Sequence, residues 1–168
     1  MSEVYLTYTL FYFNLLLLME LNSHNKKEYP PMHTAEHILN ATMVKKFGCS
    51  RSFNAHIERK KSKCDYHLDS EPTFEDINEI ENRVNQVINQ KLPVTCELVR
   101  RNDITDEVDL SKLPEDAGVM LRVVKVGDYD ICACIGDHVQ NTSEIGKFKI
   151  TTYSYKNGVL RIRFKLEK

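Results

Sequence analysis

Apolar residues recur every three or four positions in two stretches of the chain and every second position in most of the others. In 33-HTAEHILNATMVKKFG-48, Ala35, Ile38, Leu39, Thr42 and Met43 share one broad face at helical spacing. Pro30 and Pro31 prepare the start of that helix, Lys45 and Lys46 favour its negative end, and Gly48 is a natural stop. In 72-PTFEDINEIENRVNQVINQKLP-93, the buried stripe is Ile77, Ile80, Val84, Val87 and Ile88. Thr73 is placed to cap this second helix, with Asp76 at the capping-box position, and Pro93 ends it.

Between the helices, 53-FNAHIE-58 and 63-KCDYHLD-69 alternate weakly and predict a hairpin or two edge strands. The strand 94-VTCELVRR-101 follows the second helix, and residues 102–118 read as an acidic loop. The stretch 119-VMLRVVKVGDYDICAC-134 predicts two strands around a Gly127-Asp128 turn. The strands 147-KFKITTYSY-155 and 159-VLRIRFKL-166 flank Lys156-Asn157-Gly158, and Asn-Gly between alternating runs signals a tight hairpin. The order of elements predicts an α+β fold, an antiparallel sheet packed with two main helices.

Residues 4-VYLTYTLFYFNLLLLMEL-21 are nearly uncharged and approach the ~20 residues a membrane helix needs. The run has no basic n-region and no small-residue cleavage site, and Asn14 interrupts it. We read residues 1–28 as a hydrophobic extension and linker rather than an anchor, with the functional chain beginning near Met19 and the domain spanning 29–168. The 168 residues suffice for one domain with a core of its own. Five cysteines, in no secretory pattern, predict free thiols in a reducing cytosol, with Cys49, Cys64 and Cys96 as small buried residues. A net charge of −1 offers no global attraction for nucleic acid, so any such surface has to be local.

At about 100° per residue, His33 and His37 lie together on the first helix, with the main apolar face nearly opposite. Two imidazoles at this spacing can reach one ion. Glu36 does not directly follow the first histidine, so a metalloprotease helix is excluded. Cys134 and His138 flank 135-IGD-137, and Gly136 allows a tight turn that aims a strand-end thiolate and a loop imidazole the same way; this pairing suits zinc. Cys132 lies on the same strand face as Cys134, so alternation leaves both as ligands.

The combination of HTAEH with D…C-x-G-x-HV-x-NT-x-EIG resembles the editing domain shared by alanyl- and threonyl-tRNA synthetases, and more closely the free-standing AlaX-type editing proteins. The similarity runs from about Tyr29 to the C-terminus and includes "LPV" after the second helix, "LRVVKVGDYD" and "LRIRF". The resemblance implies that His33, His37, Cys134 and His138 are the metal ligands, and its spacing picks Cys134 over Cys132. The usual second motif is C-G-G-T-H, whereas this chain has Cys134-Ile135-Gly136-Asp137-His138.

By that resemblance, the chain is a cytoplasmic, zinc-dependent hydrolase that deacylates mischarged tRNA in trans, seryl-tRNA(Ala) being the first substrate. The logic is energetic: a pocket shaped for alanine rejects a near-isostere by only ~1–3 kcal/mol, whereas a second site can reward the extra hydroxyl. Four protein ligands nevertheless fill a tetrahedron, as in structural zinc sites, so catalysis needs five-coordination, a loosened ligand or a water activated other than by direct ligation, and Asp137 or His56 could serve as base. For tRNA contact, Arg51, Arg59, Lys60, Lys61 and Lys63 cluster in sequence; the plainer alternative is a solvated hairpin tip. No ATP-binding signature is present, so neither a nucleotide cofactor nor tRNA charging is expected. The rival reading is a non-catalytic zinc-containing module that binds tRNA or another RNA.

Overall fold

The computed structural model describes residues 29–105, 108, 110 and 118–167. The uncharged run at 4–21 lies outside the described residues. Among the described residues, no helix is long and apolar enough to cross a membrane.

The first helix, α1, spans Pro30–Phe47, with Pro30 in its first turn and Gly48 closing it in the left-handed region at φ 64°. Strands β1 (Asn54–His56) and β2 (Ser62–His67) follow, then helix α2 (Phe74–Asn89). Next come β3 (Val94–Arg100), β4 (Met120–Val126), β5 (Asp130–Ala133), β6 (Lys147–Lys156) and β7 (Val159–Glu167). The chain is α+β with two antiparallel sheets, ordered β1-β2-β7-β6 and β3-β4-β5. The single sheet expected from sequence divides because β7 returns to pair with β2, Ser62 opposite Phe164. Local alternation carries no information on that long-range choice.

Local signals act as predicted elsewhere. Thr73 and Asp76 form a reciprocal capping box, the Asp76 amide donating to Thr73 Oγ1 at 3.1 Å and the Thr73 amide to Asp76 Oδ2 at 2.9 Å. The stripe Ile77, Ile80, Val84, Val87 and Ile88 is buried. The β6–β7 turn holds Asn157 at φ 52° and Gly158 at φ 76°, the left-handed pair that a two-residue hairpin turn requires.

Helix α1 departs from the expected single apolar face. Every residue from Met32 to Met43 is buried. The helix shares one core with α2 and with residues of both sheets, among them Tyr66, Phe148, Phe164, Val124 and Val126. Its polar positions are therefore enclosed and bonded: Asn40 donates to Glu36 Oε1 at 2.6 Å and accepts from the Ser52 amide and Tyr66 Oη, each at 3.0 Å. The cysteines also differ in part. Cys64 is buried as expected, Cys49 is half-buried, and Cys96, on β3, is exposed.

Candidate metal centre

One side of α1 faces β5 and the turn after it. There, one ligand atom from each of His33, His37, Cys134 and His138 lies within 4.8 Å of all the others. Cys134 Sγ is 3.4 Å from His33 Nε2, close to the roughly 3.5 Å edge of a tetrahedron built on zinc–sulfur and zinc–nitrogen bonds. The three imidazole centroids stand 4.3–5.2 Å apart. The four residues singled out by the sequence motifs do converge.

Hydrogen bonds at the outer ring nitrogens set the tautomers. Thr34 Oγ1 donates to Pro30 O at 2.9 Å, so it accepts from His138 Nδ1 at 3.3 Å. That leaves His138 Nε2 bare, and this atom is buried with no hydrogen-bond partner among the described residues. A buried imidazole nitrogen without a partner, beside a thiolate and two further imidazoles, fits a metal ligand. On the other side, His37 Nδ1 is 3.2 Å from Asp130 Oδ2. Arg51 grips the same carboxylate with both terminal nitrogens, at 2.6 and 3.1 Å. The His37–Asp130–Arg51 chain therefore orients from behind an imidazole placed to hold a metal.

The electrostatics agree with this assignment at Cys134 and His138; at His37, burial lowers the pKa but Asp130, Cys132 and Cys134 outweigh it and raise it well above the usual imidazole value, so an arriving ion has to displace a proton from that ring. Burial alone raises the Cys134 thiol, but the imidazoles of His138, His33 and His37 facing the sulfur outweigh it and hold the group at about 2, a thiolate. Burial pushes His138 down to about 4, against the pull of Cys134, so this ring is neutral. Burial disfavours the Asp130 carboxylate too, but His37 and Arg51 hold it at about 2.

Cys132 is the rival ligand raised by strand alternation. Its sulfur lies 3.4 Å from His37 Nδ1, and Cys132, His37 and Asp130 form a second close group. That group uses the outer face of the ring, and Asp130 there already balances the Arg51 guanidinium. A further cation would repel Arg51. Cys132 is thus a weak second acceptor for the His37 N–H, and Cys134 belongs to the four-ligand centre.

The ligand loop is clasped at both ends. At one end, Arg122 donates to the carbonyls of Cys134 and Gly136 at 2.9 and 2.7 Å. At the other, the Val139 amide donates to Thr34 Oγ1 at 3.2 Å. Beyond it, Thr142 accepts from the Leu92 amide and donates to Ile88 O, fastening the segment to the end of α2. Gly146 at φ 85° ends the segment, where a Cβ would stand 2.6 Å from Glu167 O.

The other predicted site residues are not among these four. Asp137 is exposed on the ligand loop itself. His56 is exposed on β1 and bonded to Glu58 at 2.9 Å. Arg59, Lys60 and Lys61 are exposed in the β1–β2 loop, and the Arg59 guanidinium sits 5.1 Å from the Tyr29 ring centroid. Arg51, expected among phosphate-contacting cations, is turned inward onto Asp130 with its side chain only 8% exposed. Lys63 is half-buried, 3.4 Å from Asp65. Sequence reasoning gave no role to Thr34, Arg122 or Asp130. The only signal for the last two was their presence in the strand pair that carries the resemblance.

Residues 121–163 match the family described as the threonyl and alanyl tRNA synthetase second additional domain. Over 132 residues the chain is 37% identical to an alanine–tRNA ligase of Fervidobacterium nodosum, covering 77% of this chain and 15% of that protein. It is 32% identical to the alanine–tRNA ligases of Methanococcus vannielii, over 86% of this chain, and of Aeropyrum pernix, over 87%, covering 17% of each relative. The chain thus spans about a sixth of the length of these relatives, and the matched part holds the metal-ligand loop and the strands that position it. The chain is thus similar through residues 121–163 to the second additional domain of threonyl- and alanyl-tRNA synthetases, and over most of its own length to a part of alanine–tRNA ligases.

Proposed function

We propose that the chain is an aminoacyl-tRNA deacylase that acts in trans, as AlaX-type editing proteins do, with seryl-tRNA(Ala) as its first substrate and zinc as its ion. The observation that carries this reading is the convergence of three imidazoles and one thiolate on one centre, backed by outer bonds that select the metal-binding tautomers. When bound, such an ion polarises an ester carbonyl and acidifies a nearby water. The protein's own residues do the rest. Asp130 and Arg51 fix the His37 ring, and Thr34 fixes His138. Asp137, exposed beside His138, takes the proton from the attacking water, with His56 as the second candidate. Its charge next to the ligands, and the exposed Ile135, distinguish this loop from C-G-G-T-H and bear directly on which aminoacyl group is accepted.

The tRNA is held by its backbone. Arg59 lies against Tyr29, whose carbonyl accepts from the His33 amide at 3.1 Å, so the basic loop borders the end of α1 that carries a ligand. Arg59, Lys60 and Lys61 supply the phosphate contacts in this reading, on a domain of residues 29–168 working in the cytoplasm. The closed set of four protein ligands favours a second reading, a structural ion in a non-catalytic tRNA-binding module. One experiment separates them: offer the purified protein seryl-, glycyl- and alanyl-tRNA before and after chelation. Release of serine that disappears with the ion supports the hydrolase; binding without release of any amino acid supports the module.

A further inference from the structure

We infer that Arg122 is a positioning residue for the metal centre: from β4 it sets the span of the loop that carries Cys134 and His138. This rests on the metal reading above and adds a residue that touches neither ion nor substrate.

The loop needs such a brace. The β4–β5 ladder ends at the pair Val123 and Ala133, and residues 134–139 belong to no helix or strand. Two ligands four residues apart on irregular backbone have no ladder to fix their separation. Arg122 supplies what is missing. It shares a strand face with Val124 and Val126, which belong to the main core. From there its Nη1 donates to both the Cys134 and Gly136 carbonyls, at 2.9 and 2.7 Å. These carbonyls bracket Ile135, so one cationic group ties the first ligand's own peptide to the middle of the turn. Bonds from a guanidinium are charge-assisted, and the two hydrogens of the planar Nη1 diverge in fixed directions, one to each carbonyl. The Cys134 amide also donates to the Arg122 carbonyl at 3.0 Å, a backbone bond that any substitution of the side chain keeps. Truncation therefore removes the brace and leaves the strand end anchored. The Nη2 atom stands 3.0 Å from Cys96 Sγ, a contact on the exposed side that does not touch the loop.

The test uses the full chain loaded with cobalt(II), whose absorption reports thiolate ligation and tetrahedral geometry, together with the rate at which a chelator strips the ion. For R122A, cobalt and zinc affinity should fall roughly 10–100-fold, the range seen when residues behind a ligand are removed, with faster release and a weakened tetrahedral spectrum. R122K keeps a cation that reaches a carbonyl but not the fork, and should fall between R122A and wild type. C96A should match wild type. The melting temperature of the metal-free protein reports folding separately; should R122A fail to fold, R122K and R122Q, which keep the aliphatic stem, carry the comparison. Wild-type spectrum and release rate in the arginine variants overturn the inference, as does a C96A variant that loses the ion as readily as R122A. A wild-type protein that takes up neither cobalt nor zinc overturns the metal reading itself and this role with it, and that result is seen before any variant is made.

Discussion

Replacing Asp130 with asparagine tests the architecture behind His37. The side chain keeps its shape, but an amide nitrogen now faces Arg51 or His37, both of which are donors. Arg51 is 8% exposed and Asp130 4%, so the buried guanidinium loses the carboxylate that grips it with two bonds and keeps only the attraction of the buried Glu36. Removing one partner of such a pair costs about 3–5 kcal/mol. For a domain of this size that corresponds to a fall in Tm of roughly 6–20 °C. The outer bond to the His37 ring is lost as well, so zinc affinity should drop roughly 10–100-fold. Urea titration of the metal-free protein measures the first effect, and competition with a chromophoric chelator the second. A double variant, R51M/D130L, separates them. Two apolar side chains of similar volume remove that charge and its carboxylate together, so part of the lost stability should return, the buried Glu36 having lost the Arg51 charge that acts on it. Zinc affinity should stay low, because only the weakly accepting Cys132 sulfur remains behind the ring. Recovery of both properties, or a D130N variant less than about 1 kcal/mol destabilised, would refute the role assigned to this chain of contacts.

Cys134→Ser should abolish the sulfur-to-cobalt absorption band, whereas Cys132→Ser should keep it; the reverse outcome would exchange the ligand and its neighbour. In β2, Asp65 is 1% exposed and held below the usual carboxylate range by Arg161, whose nitrogens lie 2.7 and 2.8 Å away. Because its folded pKa is depressed, its contribution is complete above the unfolded value of about 3.9 and is lost as pH falls through the folded value. Urea midpoints of wild type and D65N should therefore differ at pH 6 and converge below about pH 4. Neutralising Lys60 and Lys61 should weaken tRNA binding and lower the slope of log affinity against log salt by roughly 0.7–0.9 per lysine; unchanged binding would remove these residues from the interface.

What the sequence revealed depends on how far each signal reaches along the chain. The Thr73 cap, the α2 stripe and the Asn157-Gly158 turn are local, and each was legible from a few neighbouring residues. The metal ligands were legible as two short pairs, yet choosing Cys134 over Cys132 needed the spacing of a related motif, because strand alternation treats the two alike. The all-round burial of α1 was not legible. Its polar positions look like a solvent face until β5 and its loop cover His33 and His37 and Ser52 and Tyr66 meet Asn40, and no local pattern announces those long-range partners. The misreading of Arg51 has the same cause: beside other cations in sequence it looks like surface charge, but its partner Asp130 lies 79 positions away.

The two halves of the centre are made at very different times. His33 and His37 leave the ribosome about a hundred residues before Cys134 and His138, yet they stand on a helix that has no solvent-facing side in its middle turns. Until β5 and its loop emerge, that flank of α1 has nothing to pack against. A nascent chain halted before residue 138 should consequently display a sticky, half-clad helix to chaperones; the last ligands cover that flank, and the core closes only when β6 and β7 follow them.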